Sequence, residues 1–397
     1  MNVLKYYIHT AVLNLLLLLV NGAIFQTFLL ECGISEHMVN IYASVMQVVQ
    51  LATMLIFSKK MDRVKNIICA TAYWSAPVLI MLVFLLVMSI NHHIPMQGMI
   101  VMLFALGGAY NLTYAVYSIF SYKLPYHIIP MKNYGTVQSL SGALTGVVCL
   151  AFSAALSFFQ RQCTYFFVMK ITFLIGIFLV PVMFFVTRAM KKTQIVTRET
   201  EKQAEKKINM LKYRPFYLLL FPNFFRGFCA GIITVAVTIG YHQRVLDVRS
   251  ASVLVVIMNA IMLVSCLVYP MFSKKIGEAK MLLFSGIGVF VSLPLMLSNG
   301  TSAVFLICYG FVYFFFTIIN YAVPVAVTQI VDYSVIGQYS ALRLLLHAAG
   351  SAIAGFVCTP MLDFFGGLGT LLISGTLQLI SGVAYFLYMR KNKNLMA

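Results

Sequence analysis

Apolar stretches about twenty residues long, the length a helix needs to cross a bilayer, recur from one end of the chain to the other. Short polar breaks between them set predicted spans at residues 6–30, 38–58, 66–90, 98–122, 134–158 and 164–187. After a longer polar segment, six more follow at 215–240, 250–272, 280–298, 302–330, 339–364 and 368–388. The pattern predicts twelve transmembrane helices, divided six and six. The first run follows Lys5, is too long for the core of a secretory leader, and ends in FLLECG without a small-x-small cleavage site. It is expected to be the first span.

Composition strengthens this picture. The 397 residues are 61% hydrophobic and 10% charged, with a single Trp. A soluble protein of that size would need more polar surface than these residues supply. The fold class is therefore an all-α membrane protein. Eight cysteines stand singly without a CxxC pair, which indicates neither a zinc site nor a disulfide framework. No metal and no cofactor is expected.

The formal charge of +18 would suit nucleic acid if it were spread over one surface. Instead the bases cluster between apolar runs, the placement that marks cytoplasmic loops, and no nucleic-acid partner is expected. With the N-terminus inside, those loops hold Lys59, Lys60, Arg63, Lys65, Lys274, Lys275 and Lys280, besides the basic 188–214 segment. Only Arg161, Arg244 and Arg249 fall in loops on the other side. The expectation is a multi-pass protein of the cell membrane with both termini cytoplasmic and the central linker lying along anionic lipid.

One loop sequence returns. Ser58-Lys-Lys-Met-Asp-Arg joins spans 2 and 3, and Ser273-Lys-Lys-Ile-Gly-Glu joins spans 8 and 9. Tyr134 opens span 5 and Tyr339 opens span 11 in a weaker echo. The halves look like copies of one six-span unit. With a charged 2–3 loop and a basic central linker, the chain resembles the major facilitator superfamily. That family's signature is Gly-x-x-x-Asp-Arg/Lys-x-Gly-Arg/Lys-Arg/Lys. Here Ser58 stands for the first Gly, Asp62 and Arg63 match, Lys65 replaces the second Gly, and Asn66 the base after it. The later copy has Gly277 at the acidic position, with Glu278 one place on.

The resemblance implies a six-helix bundle over 1–187, a cytoplasmic linker over 188–214 and a second bundle over 215–397. It also implies alternating access around a cavity lined by spans 1, 4, 7 and 10. Asp62 would then sit at the start of span 11, where free helix N–H groups favour an anion, and hold the halves together on the inside. Arg63 joins that gating network, and Arg343 is a candidate partner from the other half. A plainer role for these charges is to pin a tight loop in the cytosol.

All ten acids fall near span ends or in loops, which weighs against proton-coupled and cation-extruding transporters that use a mid-membrane carboxylate. Arg226, about eleven residues into span 7 and so roughly 16 Å deep, is the deepest cation. It either bonds structurally or holds a substrate carboxylate or phosphate, and the second is favoured. Asn14, Asn21, Asn111, Asn223 and Asn320 all fall in spans 1, 4, 7 and 10, whereas Asn259 lies in span 8. Asn223 shares a helix face with Arg226, Tyr114 with Asn111, and Tyr313 with Asn320. These are the candidate substrate contacts, with helix-to-helix hydrogen bonding as the alternative. His347, one turn beyond Arg343, is a candidate proton carrier or a packing histidine.

The functional expectation is a secondary transporter for a small polar or anionic organic solute. Its partners would be that small-molecule substrate and membrane lipid, and it would act as a monomer. An efflux pump for amphipathic compounds is the alternative, suggested by 32 Phe and 22 Tyr. From another class, a membrane enzyme or lipid-handling scaffold stands against it. No Ser/His/Asp set, carboxylate pair or metal cluster converges at one depth to support the enzyme.

Overall fold

The computed structural model describes residues 2–58, 67–91, 96–128, 134–190, 214–330 and 336–396. Among them every regular element is a helix. Span 2 is Glu36–Ser58, span 3 Ile67–Ile90, span 4 Met96–Ile128, span 5 Tyr134–Gln162 and span 6 Tyr165–Met190. Spans 8, 9 and 10 are Val248–Ile276, Glu278–Leu295 and Ser302–Ile330. Spans 11 and 12 share the range Ile336–Met396, broken at Gly366, whose φ of 69° belongs to a region that side-chain-bearing residues avoid. Each arm on either side of that break is long enough to cross a bilayer.

Two spans are themselves broken. Span 1 consists of Asn2–Asn21 and Ala23–Glu31, interrupted where Gly22 adopts an extended backbone. Span 7 consists of Arg214–Thr234 and Ala236–His242, bent by 49° around Val235. Spans 1 and 7 are equivalents in the expected repeat, and both break in the last third of their length. Among the described residues ten helices are long and apolar enough to cross, eleven with the bent pair of span 7 counted as one, and the break at Gly366 brings the crossings to twelve. The periodicity did not foresee either break, because neither lies at a charge or a proline.

Spans 1, 3, 4 and 6 pack on one another, span 2 on span 4, and span 7 and spans 9 to 12 form a second group joined by span 8. The groups meet where span 2 lies on the span 11–12 helix, with Ser44 against Gly355 of span 11, and where span 5 lies on span 8. Trp74, Tyr117, Tyr339 and Tyr385 are buried inside these groups, while Phe178, Phe185, Phe221 and Phe364 stand out from the bundle, as side chains do that face lipid. The N-terminus marks one face of the bundle, the terminal face. There Lys5 Nζ donates to the carbonyl of Ala189, tying the beginning of span 1 to the end of span 6 at 2.9 Å.

Candidate functional site

The site is built where spans 7 and 11 touch. Gly227 in span 7 faces the backbone carbonyl of His347, and Gly350 in span 11 faces the carbonyl of Phe224. A Cβ at either glycine would overlap backbone atoms of the other helix. The absence of side chains therefore permits the close approach, as small residues do between membrane helices. Arg226 and Asn223 flank this contact on span 7, and Arg343 lies one turn before His347 on span 11.

Arg226 is 9% exposed, and its Nη2 donates to Oδ1 of Asn320 in span 10. Two of the expected substrate contacts are thus brought together across two helices. Asn320 itself is exposed to open space. Asn223 is fully buried against Tyr339 and Tyr385, so the hydroxyls of spans 11 and 12 converge on its amide. Arg343 is 7% exposed, and its Nη1 has no hydrogen-bond partner among the described residues. The His347 ring lies within electrostatic reach of both Arg226 and Arg343.

The asparagines of the other half are used differently. Asn14 Nδ2 donates to the Thr10 carbonyl at 2.8 Å, and Asn111 Nδ2 donates to the Gly107 carbonyl at 2.9 Å. Both amides bond their own helix one turn back. Asn21 ends the first helix of span 1, beside the break at Gly22. Tyr114 is half-buried and stacks on Tyr110 at 5.8 Å, within a group completed by Trp74 and Tyr117. Tyr313 stacks on Tyr309 at 6.2 Å and lies by Cys149 and Cys266 of spans 5 and 8. Asn259 donates to Ser153 Oγ at 3.2 Å, joining span 8 to span 5. Asp62 and Arg63 lie outside the described residues.

A second group of residues joins span 7 to spans 1 and 2 near the face opposite the N-terminus. Thr234, Thr238 and His242 follow one another at one-turn intervals on span 7. The carbonyl of Thr234, next to the bend, accepts from Gln26 Nε2 of span 1 at 3.1 Å. One turn on, Thr238 Oγ1 lies 2.7 Å from Asn40 Oδ1 of span 2 and 2.7 Å from the Val235 carbonyl of its own helix, the two acceptors sharing its one proton. One turn further, His242 Nδ1 lies 3.4 Å from Glu36 Oε2, again of span 2. Gln26, Asn40 and Thr238 are buried, so their bonds are costly to leave unmade. The outermost pair is partly exposed and adds little by itself. Sequence reasoning missed this ladder, although the one-turn spacing of Thr234, Thr238 and His242 was legible.

His9 was missed as well. Thr187 Oγ1 donates its one proton to the Met183 carbonyl at 2.9 Å, so it must accept from His9 Nδ1–H at 3.2 Å. His9 Nε2 then accepts from the Tyr117 hydroxyl at 2.6 Å. A neutral ring is thereby satisfied on both sides and ties spans 1, 4 and 6 together.

Comparison with known proteins places the fold. The sequence profile of the Major Facilitator Superfamily matches residues 9–327. No curated protein sequence matches the chain. A D-xylose–proton symporter has a similar structure, with a TM-score of 0.70 and 12% identity over 97% of each chain. A nucleoside transporter gives 0.67 at 13% identity, covering 98% of this chain and all of its own. A bacterial homologue of the iron transporter ferroportin, in an outward-facing state with soaked iron, gives 0.66 at 12% identity over 98% of each chain. At such identities the likeness carries the fold alone. The profile, by contrast, covers most of the sequence, and with the helical architecture it shows that this chain belongs to the Major Facilitator Superfamily and is a membrane transporter rather than an enzyme.

Proposed function

We propose that the protein moves a small polar or anionic organic solute by alternating access, with residues 1–187 and 215–397 rocking about a site anchored by Arg226. The observation that carries this reading is a buried guanidinium at mid-span that reaches across to the exposed amide of Asn320. A planar fork of donors in a low-dielectric site suits a carboxylate or phosphate. Asn223, Tyr339 and Tyr385 stand close enough to complete a polar wall. The bonds from span 7 to spans 1 and 2 serve as the gate on the opposite face, since opening that face requires parting them. The latch read for Asp62 and Arg63 would act toward the terminal face.

The similar structures are transporters of a sugar, a nucleoside and iron, which supports a small-molecule cargo without choosing its class. The test is ligand-induced stabilisation of the purified protein, because a ligand that binds the folded state raises the melting temperature by mass action. Organic anions are expected to raise it. Stabilisation by neutral amphipathic compounds alone would move the reading to efflux. Orientation is part of the proposal: both termini and the basic linker face the cytoplasm. Cysteines placed at Lys192 and Lys393 are expected to resist an impermeant thiol reagent applied to intact cells. Labelling of either from outside would reject the arrangement.

A further inference from the structure

The two broken spans meet through Gln26. This residue lies one turn past the break in span 1, its backbone N–H donating to the Gly22 carbonyl at 3.1 Å. Its side chain is 4% exposed and crosses to the bend in span 7, where Nε2 donates to the Thr234 carbonyl at 3.1 Å. A carbonyl can only accept, so this contact fixes which end of the amide is nitrogen. The other end, Oε1, is buried without a hydrogen-bond partner among the described residues. An amide oxygen cut off from water with no replacement bond is costly.

Protons are short throughout this junction. Thr238 offers one to two acceptors, Asn40 Oδ1 and the Val235 carbonyl, each 2.7 Å away. Whenever that proton turns to Val235, the Asn40 and Thr238 oxygens face each other with no hydrogen between them. The second helix of span 1, span 2 and the outer helix of span 7 pack on one another pairwise, which gathers these groups at one place. The longer piece of span 7 ends there, at Thr234, and the carbonyl end of a helix is partly negative. Unmatched lone pairs beside a broken helix's carbonyl end favour a cation.

The approach from outside is acidic. Glu31 and Glu36 line a cavity of about 500 Å³ whose wall includes Leu30, one turn beyond Gln26, and Tyr241, about one turn beyond Thr238. Carboxylates in such a recess raise the local concentration of cations.

We infer that the junction binds one hard monovalent cation, such as sodium, through Gln26 Oε1, Asn40 Oδ1, Thr238 Oγ1 and the Thr234 carbonyl. Hard cations take oxygen ligands, and doubly charged ones are bound with carboxylates. None of these four ligands is a carboxylate, so a single charge fits. The cation ties spans 1 and 2 to span 7 and thereby favours closure of the face opposite the N-terminus. The site is independent of Arg226, whereas its effect on closure rests on the reading of these bonds as a gate.

The experiment follows the melting temperature of the full-length purified protein, without added solute, as sodium chloride replaces N-methyl-D-glucamine chloride at fixed ionic strength. Potassium, lithium and calcium chlorides are run beside it, on wild type, Gln26→Leu and Thr238→Val. Wild type should show a saturable rise with sodium, because a ligand of the folded state raises the melting temperature by mass action. Gln26→Leu should lose that rise. Thr238→Val should move its midpoint to at least about tenfold higher sodium, the scale of one lost charge-assisted contact. With spin labels at His37 and Gln243, on spans 2 and 7, sodium should enlarge the population with the shorter distance.

No difference among the chlorides, or a rise unchanged in both variants, overturns the cation site and leaves the Arg226 anchor standing. A response to calcium alone assigns binding to the vestibule carboxylates and overturns it too. If Gln26→Leu does not fold, the midpoint in Thr238→Val decides the matter. Sodium stabilisation that is lost in the variants but leaves the label distances unchanged overturns the link to the gate.

Discussion

Replacing Arg226 by alanine is expected to abolish nearly all affinity for an anionic solute while leaving the protein folded. Truncating one partner of a buried, hydrogen-bonded charge pair costs roughly 2–5 kcal/mol, or on the order of 30- to 5,000-fold in affinity. The loss has two sources. The anion forfeits a forked, charge-assisted contact, and its own charge is left in a site of low dielectric. Arg226→Lys keeps the charge and loses the fork, so it should fall between wild type and alanine. Affinity for an uncharged solute should change little in either variant. The shift in melting temperature with ligand concentration measures all three proteins alike. Undiminished anion affinity in folded Arg226→Ala would remove Arg226 from the site and leave the remaining polar wall without its anchor.

The second large effect is expected at Gly227. Its missing side chain faces the His347 backbone carbonyl, which cannot rotate aside as a flexible side chain could. Gly227→Val must push span 11 away from span 7 or distort one of them. Overpacking of this kind costs about 1–3 kcal/mol in ordinary cores, and a clash with backbone belongs at or above the top of that range. The melting temperature in detergent should fall by several degrees. Displacement of span 11 also carries Arg343 and His347 away from Arg226, so ligand affinity should fall with stability. Gly98, which has open space around its Cβ position, is the control: Gly98→Ala should leave both quantities near wild type. A Gly227→Val protein as stable as wild type would show that the helices do not meet as described.

Much of this architecture was legible because membrane helices announce themselves by composition over twenty residues, and no tertiary contact is needed to recognise them. The repeated Ser-Lys-Lys loops and the six-and-six division point to the family without any tertiary information. Arg226 was legible for the same reason, as a charge too deep in an apolar run to be accidental. Its partner Asn320, 94 positions away in sequence, was named as a candidate but could not be matched to it.

The asparagines of spans 1 and 4 show the limit. Composition places Asn14 and Asn111 in the right spans, but only the structure reveals that each amide donates to its own helix. The breaks at Gly22 and Val235 were invisible because a bend inside an apolar run leaves the run intact. Arg343 was read from its distance to a helix end and assigned to the gate. Its burial, with Nη1 unpartnered among the described residues, depends on how span 11 packs and could not be read from position along the span.

Alternating access requires the protein to open and close the face now held by Gln26, Asn40 and Thr238. The most direct test is the distance between spin labels at His37 and Gln243, exposed positions that flank this gate on spans 2 and 7 without taking part in it. Pulsed resonance measurements on protein in lipid nanodiscs should yield two populations, the shorter one being the gated form. Asn40→Ala with Thr238→Val removes both partners of the buried bond and should shift weight to the longer distance. A single short distance, unchanged by those substitutions and by every solute that stabilises the protein, would contradict alternating access.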